Sequence, residues 1–244
     1  SRYEIMNAWK KILTNTYPTG IEKLPTDAVR ERVVTAASGG ERSVYQLGES
    51  HAAFIEACDE LLSTKFEPSD TNNIYIQNLE EDRAFLVYSP AQILYEHGRF
   101  EEARPRLNQV IDSFPGTKEG AFAANALVNT YVEDDDLEMV RTLLTRFSKE
   151  NLGSDPSKSA DQQAKFRRDL EDTVYQLAQR FQEAGKPLAS ANAFVSFTEE
   201  FPDSESTPDA LYSAAVNYEK AGKTPRANEI FEQFINRYPD DNRA

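Results

Sequence analysis

The chain has 244 residues, 39% apolar and 28% charged, which allows one large domain or two modest ones around a thin, elongated core. Ten glycines are too few for a sandwich built on tight β-turns, and 41 acidic against 27 basic residues, a net charge of -14, oppose binding to a phosphate backbone. No apolar run approaches the ~20 residues that cross a bilayer, and a single cysteine, Cys58, excludes an internal disulfide or a multi-cysteine zinc site.

The chain opens at Ser1 without an initiator methionine and is expected to be a mature form or a fragment. Tyr3–Leu13, Asp27–Ala37, His51–Phe66 and Leu79–His97 carry helical periodicity, with Glu67–Asn73 as a polar connector. Residues 1–78 therefore read as an N-terminal helical segment. Gly48, followed by Ala53, Ala57 and Leu61, suggests a degenerate repeat plus a cap, against which Glu41 and Glu60 would fall at core positions.

Residues 79–244 carry a period. Gly98, Gly185 and Gly222 are each followed 17 residues later by a proline: Pro115, Pro202 and Pro239. Gly185 and Gly222 are 37 apart, and 37 beyond Gly98 lies Asp135 in the acidic run Glu133–Asp136. The step from Asp135 to Gly185 is 50, and the polar stretch Gly153–Lys165 accounts for the extra 13. Four residues before each turn stands Leu94, Tyr131, Phe181 or Tyr218; five after it Ala103, Val140, Ser190 or Ala227. Nine after it come Leu107, Leu144, Phe194 and Phe231, and twelve after it Val110, Phe147, Phe197 and Phe234. Those offsets share one stripe of a 3.6-residue helix. Each unit is thus helix, left-handed turn, helix, with glycine ending the first helix and proline following the second. Thr207-Pro208-Asp209 reads as the cap, first residue and dipole-paired acid of the next helix. The fold class is all-α, an α-solenoid of antiparallel helix hairpins.

Chemistry-bearing constellations are missing. His51 and Cys58 share a helix face seven apart, but without a third orienting group they read as a surface histidine and a structural thiol. His97 precedes Gly98 where a helix C-terminus favours a cation. The run Glu133–Asp136 lacks the central glycine of a calcium loop and reads as a solvated turn. No phosphate loop, metal-binding histidine pair or nucleophile elbow is present, so the expectation is no enzyme, no metal and no cofactor.

The aromatic four before the turn, alanine five after and proline seventeen after resemble the tetratricopeptide repeat family over roughly residues 80–239. The resemblance is strongest around Gly222; the Asp135 unit lacks both Gly and Pro, and the spacing exceeds the family's usual one by three residues. It implies a TPR-like right-handed superhelix whose concave groove, lined by the first helix of each pair, holds a peptide or partner segment. The family's groove positions fall on Tyr88, Asn125, Tyr175 and Tyr212, then Gln92, Asn129, Gln179 and Val216, then Tyr95, Val132, Gln182 and Glu219. Tyr88, Gln92, Tyr95, Asn125, Asn129, Tyr175, Gln179 and Tyr212 are the candidate binding residues. These rows hold no Lys or Arg, so the clamp by which some members seize a C-terminal carboxylate is not expected. Glu96, Glu133 and Glu183 flank the groove, with Lys220 as the exception, and favour a basic or neutral partner.

The helix endings Phe231–Asp240 and Phe197–Ser204 resemble repeats of bacterial periplasmic proteins, such as outer-membrane assembly lipoproteins and the Tol-Pal coordinator. That resemblance implies a non-enzymatic scaffold in a periplasmic, cell-envelope assembly, with a lipid anchor outside this segment compatible with it. The alternative is a cytoplasmic regulatory or substrate-recognition subunit of an enzyme complex. A self-associating repeat protein is a third class.

Overall fold

The computed structural model describes residues 28–35, 39–63, 74–153 and 155–244. The elements run β1 (Arg30–Thr35), β2 (Glu41–Tyr45), α1 (Glu49–Ser63), α2 (Ile74–Glu96), α3 (Phe100–Ser113), α4 (Lys118–Glu133), α5 (Leu137–Phe147), α6 (Pro156–Glu183), α7 (Pro187–Glu200), α8 (Thr207–Lys220) and α9 (Thr224–Arg237). The class is all-α, built of consecutive packed helix hairpins as in α-solenoids, with one small β-hairpin added. Two compact units form. The first takes the described residues up to Asp136 with Lys149–Gln163, and the second takes Leu137–Ser148 with Ala164–Ala244.

The period is visible in the backbone. Gly98, Asp135, Gly185 and Gly222 have φ of +67°, +56°, +67° and +70°, the left-handed conformation that terminates a helix. The bonding recurs with it. Gly98 N–H donates to the Tyr95 carbonyl and Arg99 N–H to that of Leu94, both at 2.9 Å. Asp135 and Asp136 repeat this on Val132 and Tyr131, and Gly222 and Lys223 on Glu219 and Tyr218, all at 2.9 Å; Gly185 and Lys186 do so on Gln182 and Phe181 at 3.0 and 2.9 Å. An aspartate takes the glycine's place because a short polar side chain tolerates this region best among residues with a Cβ.

The small row after each turn is buried throughout: Ala103, Val140, Ser190 and Ala227. Ser190 pays no polar penalty, since its hydroxyl donates to the Ala178 carbonyl at 2.9 Å. Val110, Phe147, Phe197 and Phe234, twelve after the turn, are fully buried, each worth roughly 1.5–3 kcal/mol of apolar transfer. Phe231 departs from its row in being only half-buried.

In the first unit α1 packs on α2, α2 on α3 and α4, and α3 on α4. Phe54, Cys58, Leu86 and Ile93 form the core between α1 and α2. In the second unit α7 packs on α8 and α8 on α9, and Phe147 of α5 meets Phe166 of α6 at 5.5 Å between ring centroids.

Several expectations are corrected. Within Asp27–Ala37 the chain forms strand β1, paired antiparallel with β2 (Val33 opposite Ser43, Thr35 opposite Glu41), not a helix. A helix hairpin around Gly48 does not form, because β2 precedes it and α1 follows. Glu41 and Glu60 are solvent-exposed, which agrees with the objection they raise to a repeat there. The polar stretch Gly153–Lys165, to which the sequence assigned no element, is helix from Pro156 onward and lengthens α6 to 28 residues. Thr207 is the first residue of α8 rather than its cap; its hydroxyl donates to the Phe201 carbonyl at 2.7 Å and so ties α8 to the end of α7. The segments Tyr3–Leu13 and Glu67–Asn73 lie outside the described residues.

Candidate functional site

The candidate residues fall on the first helix of each hairpin: Tyr88, Gln92 and Tyr95 on α2, Asn125 and Asn129 on α4, Tyr175 and Gln179 on α6, Tyr212 on α8. Asn129 and Gln179 are exposed and the other six half-buried.

In the first unit the α2 and α4 rows meet. Asn129 hydrogen-bonds the Tyr95 hydroxyl, whose pKa is pushed up by burial and by the carboxylates of Glu133 and Glu96. Tyr88 lies 6.2 Å from the ring of Phe122 on α4. The Asn125 amide donates to the Ala121 carbonyl at 2.8 Å and its oxygen accepts from Gln162 at 3.2 Å. Gln92 donates to Glu96 at 2.8 Å. Phe122 and Val132 continue the same stripe of α4 and are 53% and 49% exposed.

In the second unit Tyr175 stands edge-on to Phe194 and Phe197, both at 5.4 Å. Tyr212 repeats this with Phe231 at 5.8 Å and Phe234 at 5.5 Å. Burial raises the Tyr175 pKa, Asp209 adds to the rise and Arg243 opposes it. Tyr175, Gln179, Asp172, Glu171, Phe197 and Ser206 line a cavity of about 210 Å³. A larger cavity of about 540 Å³ lies on the second-helix side, between α7 and α9, lined by Val195, Thr198, Leu211, Ile230, Gln233 and Arg237 among others. It is wide and carries no aromatic wall, so its size alone argues little for recognition.

One further row stands thirteen before each turn: Phe85, which packs against the core between α1 and α2, and Phe122, Asp172 and Asp209, which are exposed. It lies three residues before the Tyr/Asn row and therefore on the same stripe. The helical offset is the signal that identifies it.

The remaining polar clusters hold the first unit together. His51 is buried, contrary to its expected surface position, and meets the buried His97 edge-on at 5.0 Å. Burial lowers both pKa values, favouring the neutral rings. His97 also contacts the Ile93 carbonyl through Nδ1 at 2.7 Å, on the last turn of α2. Cys58 is fully buried, and burial pushes its thiol up to about 12. Asp134 is not a solvated turn residue. Burial would raise its pKa, but hydrogen bonds from Arg42 of β2 (2.6 Å) and Arg104 of α3 hold it low. Arg104 lies 3.9 Å over the Tyr131 ring and Arg42 4.1 Å over that of Phe100, so both cations are stacked as well as paired. Among the described residues no cluster of metal-ligating side chains forms and no helix is long and apolar enough to cross a membrane.

A sequence model of the tetratricopeptide repeat matches residues 91–117 and 209–241. These segments contain the turns at Gly98 and Gly222. No curated protein matches the chain. Two crystal structures of a Podosopora anserina putative kinesin light chain with nearly identical TPR-like repeats align at 13% identity, over 80% and 79% of this chain and 90% of theirs, with a TM-score of 0.30 in each case. A likeness of that strength bears on neither function nor the course of the chain.

Proposed function

Proceeding from tetratricopeptide repeats in two stretches of the chain, we propose a non-enzymatic scaffold that holds a peptide or partner segment against the first-helix faces. Such repeats in general mediate protein–protein interaction. The observation that carries the proposal is the α4 stripe: Phe122 and Val132, half exposed, alternate with Asn125 and Asn129 beside Tyr88 and Tyr95 of α2. Exposed apolar area interleaved with neutral amides suits an extended backbone, which offers carbonyls and N–H groups between its side chains. Work within a bacterial cell envelope is part of the same proposal and rests on the helix endings Phe231–Asp240 and Phe197–Ser204.

Peptides selected from a random library against the protein test it, with affinities measured by calorimetry. Phe122→Ala with Tyr88→Ala is expected to weaken a selected peptide about tenfold or more, ~1.4 kcal/mol per factor of ten, while Glu232→Ala on the exposed side of α9 leaves it unchanged. A library that yields no binder, or binders indifferent to the double substitution, contradicts the proposal.

A further inference from the structure

The last two repeats of the second unit superimpose in their chemistry, with two differences. In the final repeat the Arg243 guanidinium lies 5.1 Å over the Tyr212 ring and 5.4 Å from that of Phe234, and is paired at 2.8 Å with Asp209 and at 2.7 Å with Asp241. The pairing draws the Asp241 carboxyl down to about 2. One period of 37 residues earlier, Asp172, Tyr175 and Phe197 stand in the places of Asp209, Tyr212 and Phe234. The ring pairs match: Tyr212 to Phe234 is 5.5 Å at 61°, and Tyr175 to Phe197 is 5.4 Å at 75°. The residue in the place of Arg243 is Ser206, and beside its short side chain is the cavity of about 210 Å³. A second carboxylate is still present, supplied by the residue next to Asp172 on α6. Ser204 replaces Asp241 but Glu171 lines the cavity, accepting a hydrogen bond from the Ser204 hydroxyl.

We propose that this cavity is a seat for an arginine side chain of the partner polypeptide, held as Arg243 is held one repeat later. The inference rests on the proposed binding role of the first-helix faces and adds the chemistry of the partner. Among the described residues no lysine or arginine lines the cavity; Arg243, which acts on Tyr175 electrostatically, pairs with Asp209 and Asp241. An aromatic wall with carboxylates at its edge suits a planar guanidinium better than an ammonium, because the same group can stack and donate several hydrogen bonds at once.

Titration of ¹⁵N-labelled protein with acetyl-Gly-Arg-Gly amide, and with its lysine and citrulline counterparts, tests the seat. Arginine is expected to produce saturable shifts at Tyr175, Gln179 and Ser206, with several-fold weaker binding for lysine and none for citrulline, which keeps the shape and loses the charge. Asp172→Asn with Glu171→Gln should weaken arginine binding about tenfold. Ser206→Arg should fill the seat from within and abolish the shifts, with helicity unchanged. Equal responses to arginine and either counterpart overturn the proposal, as do absent or misplaced shifts or undiminished binding in the carboxylate variant. Library peptides that bind the first-helix faces without arginine dependence would leave the scaffold role standing and end the arginine seat alone.

Discussion

The two units use the same turn and surround it differently. At Gly98 the β-hairpin closes over the turn: a Cβ there would stand 2.4 Å from the Ser43 carbonyl oxygen, while Tyr45 N–H bonds the His97 carbonyl at 2.9 Å and Arg42 bonds that of Gly98. At Gly185 and Gly222 nothing lies within 4 Å of the same position. The proposed binding faces diverge likewise. Thirteen before the turn the first unit carries Phe85 and Phe122, the second Asp172 and Asp209. Phe85 packs against the core between α1 and α2 while Phe122 is exposed, whereas the second unit carries exposed carboxylates at the same positions, beside tyrosines. A turn's sequence signature therefore fixes the hairpin, and its surroundings decide both the cost of changing it and the ligand it can take.

The sharpest way to break this comparison is to add a methyl group at each turn. Gly98→Ala should cost roughly 3–4 kcal/mol, from left-handed strain of ~1–2 kcal/mol plus displacement of the β-hairpin backbone. Gly222→Ala should cost only the strain, about 1–2 kcal/mol. Urea denaturation of both variants measures the difference, and equal losses would contradict the docking of the hairpin on Gly98. Next in size is Asp134→Ala, which leaves Arg42 and Arg104 nearly buried without their shared carboxylate. A loss of about 3 kcal/mol is expected, with Asp134→Asn recovering part of it. The folded-state pKa of Asp134 lies below its unfolded value near ~3.9, so its contribution is complete above that value and lost as pH falls through the folded one.

Gly222→Val sharpens the second unit. A β-branched residue in the left-handed region costs about 1–2 kcal/mol even in open space, and proteolysis should then open α8 and α9 first. The smallest effect expected is an acid response confined to the first unit, which holds both histidines, His51 and His97. Their folded pKa values are lowered, so the unfolded chain binds more protons just below its own pKa near ~6.5. Stability from the pair is full above that value and is lost as pH falls toward the folded ones. Amide exchange at Leu86 and Ile93 should quicken at pH 5 relative to pH 7, beyond its intrinsic pH dependence, while Ala214 and Phe234 show no such change. Cys58, packed in the same core, should become open to an acid-tolerant disulfide reagent in step.

Most of the helix architecture was legible because turn and stripe are local signals. Asp135 could be placed in a left-handed turn by counting 37 from Gly98, without any glycine to mark it. The β-hairpin was not legible. Residues 30–34 lack the alternation of a half-buried strand, since β1 is exposed along nearly its whole length, and long-range bonds to His97 and Gly98 hold the hairpin in place. Asp134 misled for a related reason: its partner Arg42 lies 92 residues away, and no pattern within the run Glu133–Asp136 points to it. Of the candidate site, the Tyr, Asn and Gln rows were legible from helical offset, whereas Asp172, Asp209 and Arg243 acquire meaning only when two repeats are compared in space.

The most direct test of the binding-face account is the footprint of a library-selected peptide, read from backbone and side-chain NMR shifts. The account predicts changes on the first-helix face of either unit, at Tyr88, Asn125 and Asn129 or at Tyr175, Gln179 and Tyr212. Changes confined to the cavity of about 540 Å³ between α7 and α9, with those first-helix residues silent, would contradict it.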